Sequence, residues 1–330
     1  MKELMVLKFG GTSLATDITR EYVYKKIIEH KEKGKNIIAV VSAMGRSGDP
    51  YATDTILDII RKTTKNYSMR EIDMAFVCGE MISAAVVASK LNEIGYKAMS
   101  INGMQAGIYT NGVYFDADIK KIDKSKMQRH LDEGYILIVT GGQGITEDKE
   151  ITTLGRGGSD TTATALGVAL GAKEAIIYTD VKGIMTTDPR ILKNAQLIRE
   201  ISYENCCLLA EEGAKVIHPR AVKEAMKNKQ MKLYVRSTFS EDKGTYIGEI
   251  SDKDEPSIVG ITKKEIGEKP QESKVTIIGN RLKTLKNNIF EEIADVKINQ
   301  YNENDNKFEF YLDTKNANLL VEKLHKMTVQ

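Results

Sequence analysis

Residues 4–13 read Leu-Met-Val-Leu-Lys-Phe-Gly-Gly-Thr-Ser, and this stretch gives the clearest indication of the fold. Apart from Lys8, its first six residues are apolar, which predicts a buried strand over Leu4–Phe9. Gly10 and Gly11 follow at once, as in a tight turn that ends a strand. Because a strand that is apolar almost throughout is buried on both faces, the stretch favours a parallel sheet between two layers of helices.

Short apolar runs and longer amphipathic segments alternate through the first two thirds of the chain. This alternation predicts an α/β domain with a doubly wound, mostly parallel sheet. The further predicted strands are Asn36–Ser42, Tyr96–Ile101, Tyr135–Thr140 and Ala175–Thr179. The predicted helices are Thr19–Lys33 and Ser68–Asn92, the second of them broken or bent near Gly79. Ligands bind beyond the carboxyl ends of such strands, where several glycine pairs lie.

Composition changes near residue 240, and this change divides the chain. Ser240–Pro256 is polar and rich in turn formers, which predicts a linker. The region after it alternates predicted strands and helices: Lys274–Ile278, Leu285–Ile293, Phe308–Leu312 and Ala317–Lys326. We therefore expect a main domain over residues 1–245 and a small α+β domain over residues 257–330.

The charge balance argues against a nucleic-acid or membrane partner. The 330 residues include 48 basic and 46 acidic side chains, a formal net charge of +2, and the basic ones are dispersed. The N-terminal apolar run is too short for a signal peptide, and no uninterrupted apolar stretch is long enough to cross a bilayer. Three cysteines, Cys78, Cys206 and Cys207, have neither metal nor disulfide spacing, so the sequence predicts a cytoplasmic protein with reduced thiols.

Two glycine-rich segments suit an anionic ligand. Gly10 and Gly11 free the backbone to approach an anion, and Lys8 brings a positive charge to the same turn. Residues 155–162 (Gly-Arg-Gly-Gly-Ser-Asp-Thr-Thr) precede a helical run, and a helix N-terminus behind glycines attracts anions. A glycine pair on its own fits an ordinary turn better, because such short motifs occur often by chance.

The second of these segments has its own candidate contacts. Ser159 or Asp160 would cap the helix, and Arg156 presents a planar fork that suits a carboxylate or a phosphate. The segment also fits a plain capped helix with a surface arginine, although its three glycines and arginine in so short a span make that interpretation the weaker one.

Three other motifs are uninformative when taken alone. Residues 178–190 form a polar loop after a predicted strand, and residues 213–220 hold one histidine and two cations. Glu80 lies among small and apolar neighbours, but a satisfied surface glutamate is the default interpretation. The chain lacks the P-loop pattern and the spacing of the dinucleotide fingerprint, and its four histidines are scattered without a catalytic triad.

Taken together, the motifs resemble the aspartate kinases of the amino acid kinase family. The matching strings occur in the family's order and cover nearly all of residues 1–240. They are KFGGTS (8–13), VVSAMG (40–45), GE (79–80), TTLGRGGSDTTA (152–163), YTDVKGIMTTDPR (178–190) and GAKVIHPRA (213–221). The resemblance implies an amino acid kinase fold in which ATP phosphorylates the side-chain carboxylate of L-aspartate, the first step of lysine, threonine and methionine biosynthesis.

The resemblance also implies roles for individual residues. Lys8 and Asp180 would be catalytic, and Mg²⁺ would arrive with ATP, without a metal site of its own. The substrate would be bound by Ser42, Ser47, Glu80 and Arg156, with Glu80 on its ammonium and Arg156 on its α-carboxylate. The nucleotide would be bound by Lys8, Phe9, Gly10, Gly11, Ser159, Thr179, Asp180, Met185, Arg190 and Lys215.

These roles are chemically consistent with the proposed substrate. Aspartate carries two carboxylates and one ammonium, so a selective pocket needs both a cation and an anion, which Arg156 and Glu80 would supply. The nucleophilic carboxylate has a pKa of about 4 in water, and it therefore needs no general base at pH 7. Catalysis would come from positioning and from neutralisation of charge by Lys8, backbone N–H groups and Mg²⁺.

The sequence departs from the family pattern at three places. Met185 stands where the family usually has a tyrosine beside the nucleotide, and the hydroxyl that touches the substrate, Ser42 or Ser47, stays open. The region 257–330 resembles a shortened ACT region, which would serve mainly in pairing subunits into a homodimer or a larger oligomer. Two alternatives remain: a kinase of the same fold acting on glutamate, N-acetylglutamate or carbamate, and an inactive amino-acid sensor.

Overall fold

The structure, a computed structural model, describes residues 2–214, 216–251, 253–267 and 271–329. The chain divides into two compact units. Unit 1 comprises Met1–Val181 and Arg220–Asp242, and unit 2 comprises Lys182–Pro219 and Lys243–Gln330. The predicted domain boundary between residues 245 and 257 remains a prediction, because these units are defined by packing and each contains two separate segments of chain.

The strands and helices have the following bounds. The strands are β1 (Leu4–Phe9), β2 (Asn36–Val41), β3 (Ala98–Ile101), β4 (Ile108–Thr110), β5 (Ile119–Ile122), β6 (Ile136–Thr140), β7 (Gln143–Ile145), β8 (Ile151–Thr153), β9 (Glu174–Thr179), β10 (Glu200–Ser202), β11 (Lys232–Ser237), β12 (Thr245–Gly248), β13 (Gly260–Ile266), β14 (Glu272–Ile278), β15 (Gln300–Glu303) and β16 (Lys307–Asp313). The helices are α1 (Gly11–Leu14), α2 (Asp17–Glu32), α3 (Thr53–Thr63), α4 (Met69–Glu93), α5 (Ser125–Asp132), α6 (Gly158–Leu170), α7 (Tyr203–Glu211), α8 (Pro219–Ala225), α9 (Lys286–Glu292) and α10 (Thr314–Lys326).

A parallel sheet forms the centre of unit 1. Its strands run in the order β11-β9-β1-β2-β6-β3, and every neighbouring pair is parallel. All residues of β2 and β6 are buried, because helices cover both faces of the sheet. Phe9 pairs with both Val41 and Tyr178, so the carboxyl ends of β1, β2 and β9 meet at one edge. The predicted fold class is confirmed, and the glycine turns lie at this edge.

Helix α4 is continuous, so the predicted break near Gly79 is wrong. A Cβ atom on Gly79 would lie 2.8 Å from the Cβ of Ala43 and 3.0 Å from the carbonyl oxygen of Tyr51. The glycine therefore allows close packing against a loop without interrupting the helix. By length and composition α4 could span a membrane, but half of its most apolar window is buried inside the protein, as in the core helix of a globular domain.

A second sheet in unit 1 was not predicted from the sequence. Its four strands lie in the order β5-β4-β7-β8, and each has only three or four residues. Such short strands give too few residues for a periodic pattern to be recognised. The last of them, β8, leads directly into the Gly-Arg-Gly-Gly segment.

Unit 2 contains an antiparallel sheet in the order β13-β14-β16-β15. One face packs on α9 and α10 through a core that includes Val275, Ile277, Phe308 and Phe310. The strands and helices predicted for this region are confirmed, with shifts of a few residues at their ends. The predicted linker 240–256 is only partly correct, because it contains β12, which pairs in parallel with β10.

Candidate active site

A cavity of about 400 Å³ opens at the carboxyl edge of the parallel sheet in unit 1. Seven of the predicted site residues line it: Lys8, Gly11, Ser42, Ser47, Glu80, Arg156 and Ser159. A larger and more open groove, of about 750 Å³, runs along α5, but no residue with a predicted role lies there. We place the candidate site in the smaller cavity, because the cations and glycines converge on it.

Lys8 reaches the cavity from the end of β1. Its Nζ atom lies 2.7 Å from Oδ1 of Asp160, and both side chains are nearly buried, at 13% and 11% exposure. The same Nζ atom would be 3.5 Å from a Cβ atom on Gly10. The charge of Lys8 is therefore held directly over the glycine turn, where a phosphate could approach the backbone.

Gly11 lies where two chain segments approach each other closely. A Cβ atom at this position would collide with the carbonyl oxygen of Gly45 and would lie 2.7 Å from that of Ala43. The N–H group of Gly45 also donates to the carbonyl oxygen of Gly11, at 2.9 Å. The turn after β1 and the loop after β2 are thus fixed together, and only glycine allows this spacing.

We expect Gly11→Ala to reduce kcat/KM for ATP by about tenfold, because the added methyl group must push these two loops apart in a site where positioning supplies the rate. Steady-state kinetics with varied ATP would measure the change. Gly34→Ala is a control for the backbone cost of losing a glycine, since Gly34 has a φ angle of 78° but a Cβ atom there meets nothing within 4 Å. Unchanged ATP kinetics in folded Gly11→Ala would contradict the expectation.

Helix α6 presents its N-terminus to the cavity. Its cap is Gly157, in the left-handed conformation at φ 73°, and no side chain caps the helix. The prediction that Ser159 or Asp160 caps it is therefore wrong, since both lie inside the first turn. Ser42 donates to the hydroxyl oxygen of Ser159 at 3.0 Å, which links the loop after β2 to this turn.

Glu80 is buried in the wall of the cavity, at 2% exposure, so the default interpretation as a surface glutamate is wrong. The main-chain N–H of Ala43 donates to its Oε1 atom at 3.3 Å, whereas Oε2 has no hydrogen-bond partner among the described residues. Burial raises the pKa of Glu80 to about 8, although the N–H of Ala43 favours the charged form. A buried carboxyl group in a cavity wall, with one oxygen that accepts no hydrogen bond, is suited to a cationic ligand.

Two arginines stand at the mouth of the cavity. The Arg156 side chain is 82% exposed and lies 3.7 Å from Oδ1 of Asp54. Arg46 pairs with Asp180, which follows β9. Both guanidinium groups are exposed enough to exchange these partners for a bound anion, because surface ion pairs contribute little stability.

Other predicted site residues of unit 1 lie near the cavity without lining it. Phe9 is fully buried and stacks on Tyr178, with ring centroids 5.0 Å apart, so its side chain belongs to the core. Thr179 and Asp180 lie at the end of β9, next to the end of β1 in the sheet. Asp180 approaches the cavity through its ion pair with Arg46.

The remaining predicted nucleotide residues do not belong to unit 1. In unit 2, Met185 forms a bridge with Leu197, and the exposed side chain of Arg190 pairs with Asp188 at 2.6 Å. Lys215 lies outside the described residues. The roles of these three residues remain predictions.

Several cavity residues were missed or misjudged by sequence reasoning. Asp160 was considered only as a helix cap, and Arg46 was given no role. The others lie on α3, α4 and the loop before β5, and they gave no signal because they come from apolar or ordinary polar segments: Thr53, Asp54, Leu57, Arg61, Phe76 and Phe115. Only the folded chain brings them to the glycine turns.

A sequence model of the amino acid kinase family matches residues 3–237. The chain belongs to the amino acid kinase family. The aspartokinase of Geobacillus stearothermophilus is 45% identical over 276 residues, which are 84% of this chain and 65% of that protein. Aspartokinase 2 of Bacillus subtilis is 44% identical over 298 residues, 90% of this chain and 70% of that protein. The resemblance drawn from the sequence motifs is confirmed, and the chain spans 65% to 70% of the length of these two relatives.

Solved structures of the family extend the likeness to the fold. The crystal structure of E. coli aspartokinase III in complex with aspartate and ADP has a TM-score of 0.82 at 20% identity, and the match covers 99% of this chain and 100% of that one. Aspartate kinase from Synechocystis has a TM-score of 0.66 at 28% identity, over 99% of this chain and 70% of that one. The amino acid kinase fold therefore extends to this chain.

Proposed function

We propose that this protein is an aspartate kinase, which transfers the γ-phosphoryl group of ATP to the side-chain carboxylate of L-aspartate. The observation that carries the proposal is the buried Glu80 with its free Oε2 atom, in the same cavity as Lys8 and Arg156. An amino acid offers an ammonium for Glu80 and an α-carboxylate for Arg156. Its second carboxylate is then left to meet the phosphate.

In this proposal the chain positions two anions and neutralises their charge. Lys8 and the glycine turn after β1 attract the terminal phosphates, and the N-terminus of α6 adds backbone N–H groups and a favourable dipole. The acceptor carboxylate is ionised at neutral pH, so no side chain has to remove a proton from it. The hydroxyls of Ser42 and Ser159 also line the cavity and could contact either reactant.

The magnesium ion of the proposal is bound to ATP. Within the described ranges, no group of three His, Cys, Asp or Glu side chains could hold a metal ion. Mg²⁺ prefers phosphate oxygens and water with one or two carboxylates, and Asp160 and Asp180 are carboxylates at this edge of the sheet. Bound there, the ion would neutralise developing negative charge on the phosphoryl group.

Trapping of the acyl phosphate by hydroxylamine tests the proposal. With ATP and Mg²⁺, the wild-type protein should form hydroxamate with L-aspartate, and much less with glutamate, N-acetylglutamate or carbamate. A preference for one of the other acceptors would replace aspartate as the substrate. Background rates with all four acceptors, in protein that still binds aspartate in calorimetry, would instead support the inactive amino-acid sensor.

The proposal extends to the second unit and to the protein's location. Residues 257–330 would serve mainly to pair subunits as a reduced ACT-like domain, and we propose that lysine and threonine do not inhibit through it. The hydroxamate assay with and without each amino acid tests this part. Inhibition with a measurable heat of binding would contradict it.

We also propose a cytoplasmic location for the protein, because the reaction consumes ATP.

A further inference from the structure

Phe115 has an unusual backbone conformation in the wall of the cavity. Its φ angle is 62°, in the left-handed region that bulky side chains rarely adopt. Phe115 lines the cavity, and its ring packs edge-on against Phe76, with centroids 6.1 Å apart. Strain of this kind persists only where the surroundings enforce it, and it is concentrated at functional sites.

A buried carboxylate enforces this conformation. Asp73, on α4, is fully buried, and both of its oxygens lie 3.1 Å from the main-chain nitrogen of Phe115. The same carboxylate accepts from the main-chain N–H of Thr153 at 2.8 Å and from its hydroxyl at 2.6 Å. Asp73 thus joins the segment that carries Phe115 to strand β8, which leads to Arg156.

Further contacts make these two segments one rigid wall. The N–H of Ala117 donates to the carbonyl oxygen of Thr153 at 2.9 Å, and the carbonyl oxygen of Phe115 packs directly against Gly155. From the other side, Arg220 donates to the carbonyl oxygens of Leu154 and Ala117, at 2.9 and 2.5 Å. Arg220 is the arginine of the 213–221 motif, for which the proposed reaction gave no role.

The wall formed by these two segments lies in the same cavity as the residues proposed to bind the acceptor. Phe115, Phe76 and Leu57 form an apolar part of the cavity lining, whereas Glu80 and Arg156 are the charged lining residues to which the proposed function assigns the ammonium and the α-carboxylate. When Glu80 and Arg156 hold the ammonium and the α-carboxylate, the wall that carries Phe115 limits how long an acceptor can be and still place its second carboxylate near Lys8. A longer acceptor would have to press against the Phe115 ring or carry its carboxylate past the phosphate.

We propose that Phe115 is a specificity-determining residue that sets the length of the acceptor, and that Asp73 is the positioning residue that holds it in place. This inference rests on the proposed function, because it concerns the choice between aspartate and glutamate. One methylene group in a shaped pocket changes kcat/KM by roughly 10- to 200-fold, which is the scale of discrimination a wall of this kind can supply.

The test compares kcat/KM for aspartate and for glutamate in Phe115→Ala and in wild-type protein, by hydroxamate formation. We expect the aspartate-to-glutamate ratio to fall by at least about tenfold, with KM for ATP changed by less than about twofold. Tyr114→Ala is the matched control, since this neighbouring aromatic residue is half-buried but does not line the cavity. An unchanged ratio in folded Phe115→Ala would overturn the proposal.

The role of Asp73 needs variants that separate positioning from folding, because the amide of Asp73→Asn would place N–H donors against the buried donors of Phe115 and Thr153 and destabilise the chain. Thr153→Val removes one hydroxyl donor to Asp73, and Thr153→Ser keeps it. We expect Thr153→Val to raise KM for aspartate about threefold to tenfold with little change in KM for ATP, as loss of one buried hydrogen bond does. Thr153→Ser should restore the wild-type value. Equal changes in both KM values, or no rescue by serine, would contradict a positioning role.

The same hydroxamate measurements also test the proposed function separately from the role of Phe115. If wild-type protein makes no hydroxamate with aspartate, the proposed function and this inference both fail. If wild-type protein prefers aspartate but Phe115→Ala keeps the same ratio, only the inference fails.

Discussion

Replacement of Lys8 by alanine should lower kcat by about 100-fold or more while KM for aspartate changes little. Lys8 holds its charge at the end of β1, 2.7 Å from Asp160 and directly above the glycine turn. A preorganised cation in a site with little water stabilises the charge that develops in the transition state far more than a cation in solvent does. Without it, the carboxylate of Asp160 would also repel the incoming phosphates.

Steady-state and single-turnover hydroxamate kinetics would measure this effect. Lys126→Ala is a suitable control, because Lys126 is an exposed lysine on α5, and this variant should behave as the wild-type protein. Thermal unfolding of the Lys8→Ala protein should stay cooperative, which separates a catalytic loss from a folding defect. Normal turnover in folded Lys8→Ala would remove Lys8 from the proposed mechanism.

Aspartate binding should release close to one proton at pH 7, and this second prediction depends on Glu80. Burial raises the pKa of Glu80 to about 8, so the carboxyl group is mostly protonated at pH 7 before aspartate binds. The ammonium of aspartate favours the carboxylate and therefore expels the proton. The apparent affinity for aspartate should rise by up to about tenfold per pH unit between pH 6 and pH 8.

Calorimetric titration in two buffers with different ionisation enthalpies would count the proton released. Glu80→Gln should abolish the release and raise KM for aspartate by about 30-fold or more, since truncating one member of a buried charged pair costs at least about 2 kcal/mol. Glu71→Gln is the matched control, because Glu71 is exposed on the same helix. Binding that releases no proton, or a glutamine variant with normal KM, would contradict the role of Glu80.

The same residue predicts how stability depends on pH in the ligand-free protein. The pKa of Glu80 is higher in the folded chain than its value of about 4.3 in the unfolded chain. Between these values the folded state binds the extra proton, so the free energy of unfolding should fall as pH rises from about 4.5 to 8. Comparing chemical denaturation of wild-type and Glu80→Gln proteins across this range would isolate the contribution.

Much of the fold was predictable because the central strands are nearly continuous apolar runs. Leu4–Phe9 and Asn36–Val41 are each preceded or followed by turn formers, and this pattern fixes strand positions to within a residue or two. The short strands β4, β5, β7 and β8 were missed for the opposite reason. They have three or four residues each, and their stability comes from pairing with one another.

Helix α4 shows where local reasoning gave the wrong result. Gly79 lowers helix propensity, so a break or a bend was predicted there, and the break is wrong because the helix continues through this residue. The close approach of the Ala43 loop requires a residue without a side chain, and packing of the long helix outweighs the local cost. The same packing buries Glu80, one residue later, which no local pattern indicated.

The sequence by itself determined the parallel sheet, the position of its glycine turns and the family to which the chain belongs, because apolar runs and ordered motifs are local properties of the chain. Tertiary structure alone decided that Glu80 is buried with a free oxygen, that Asp160 pairs with Lys8, and that Asp73 holds Phe115 in a left-handed conformation. These features depend on contacts between residues 37 to 152 positions apart, and the energy of such contacts comes from burial and geometry that no single segment contains.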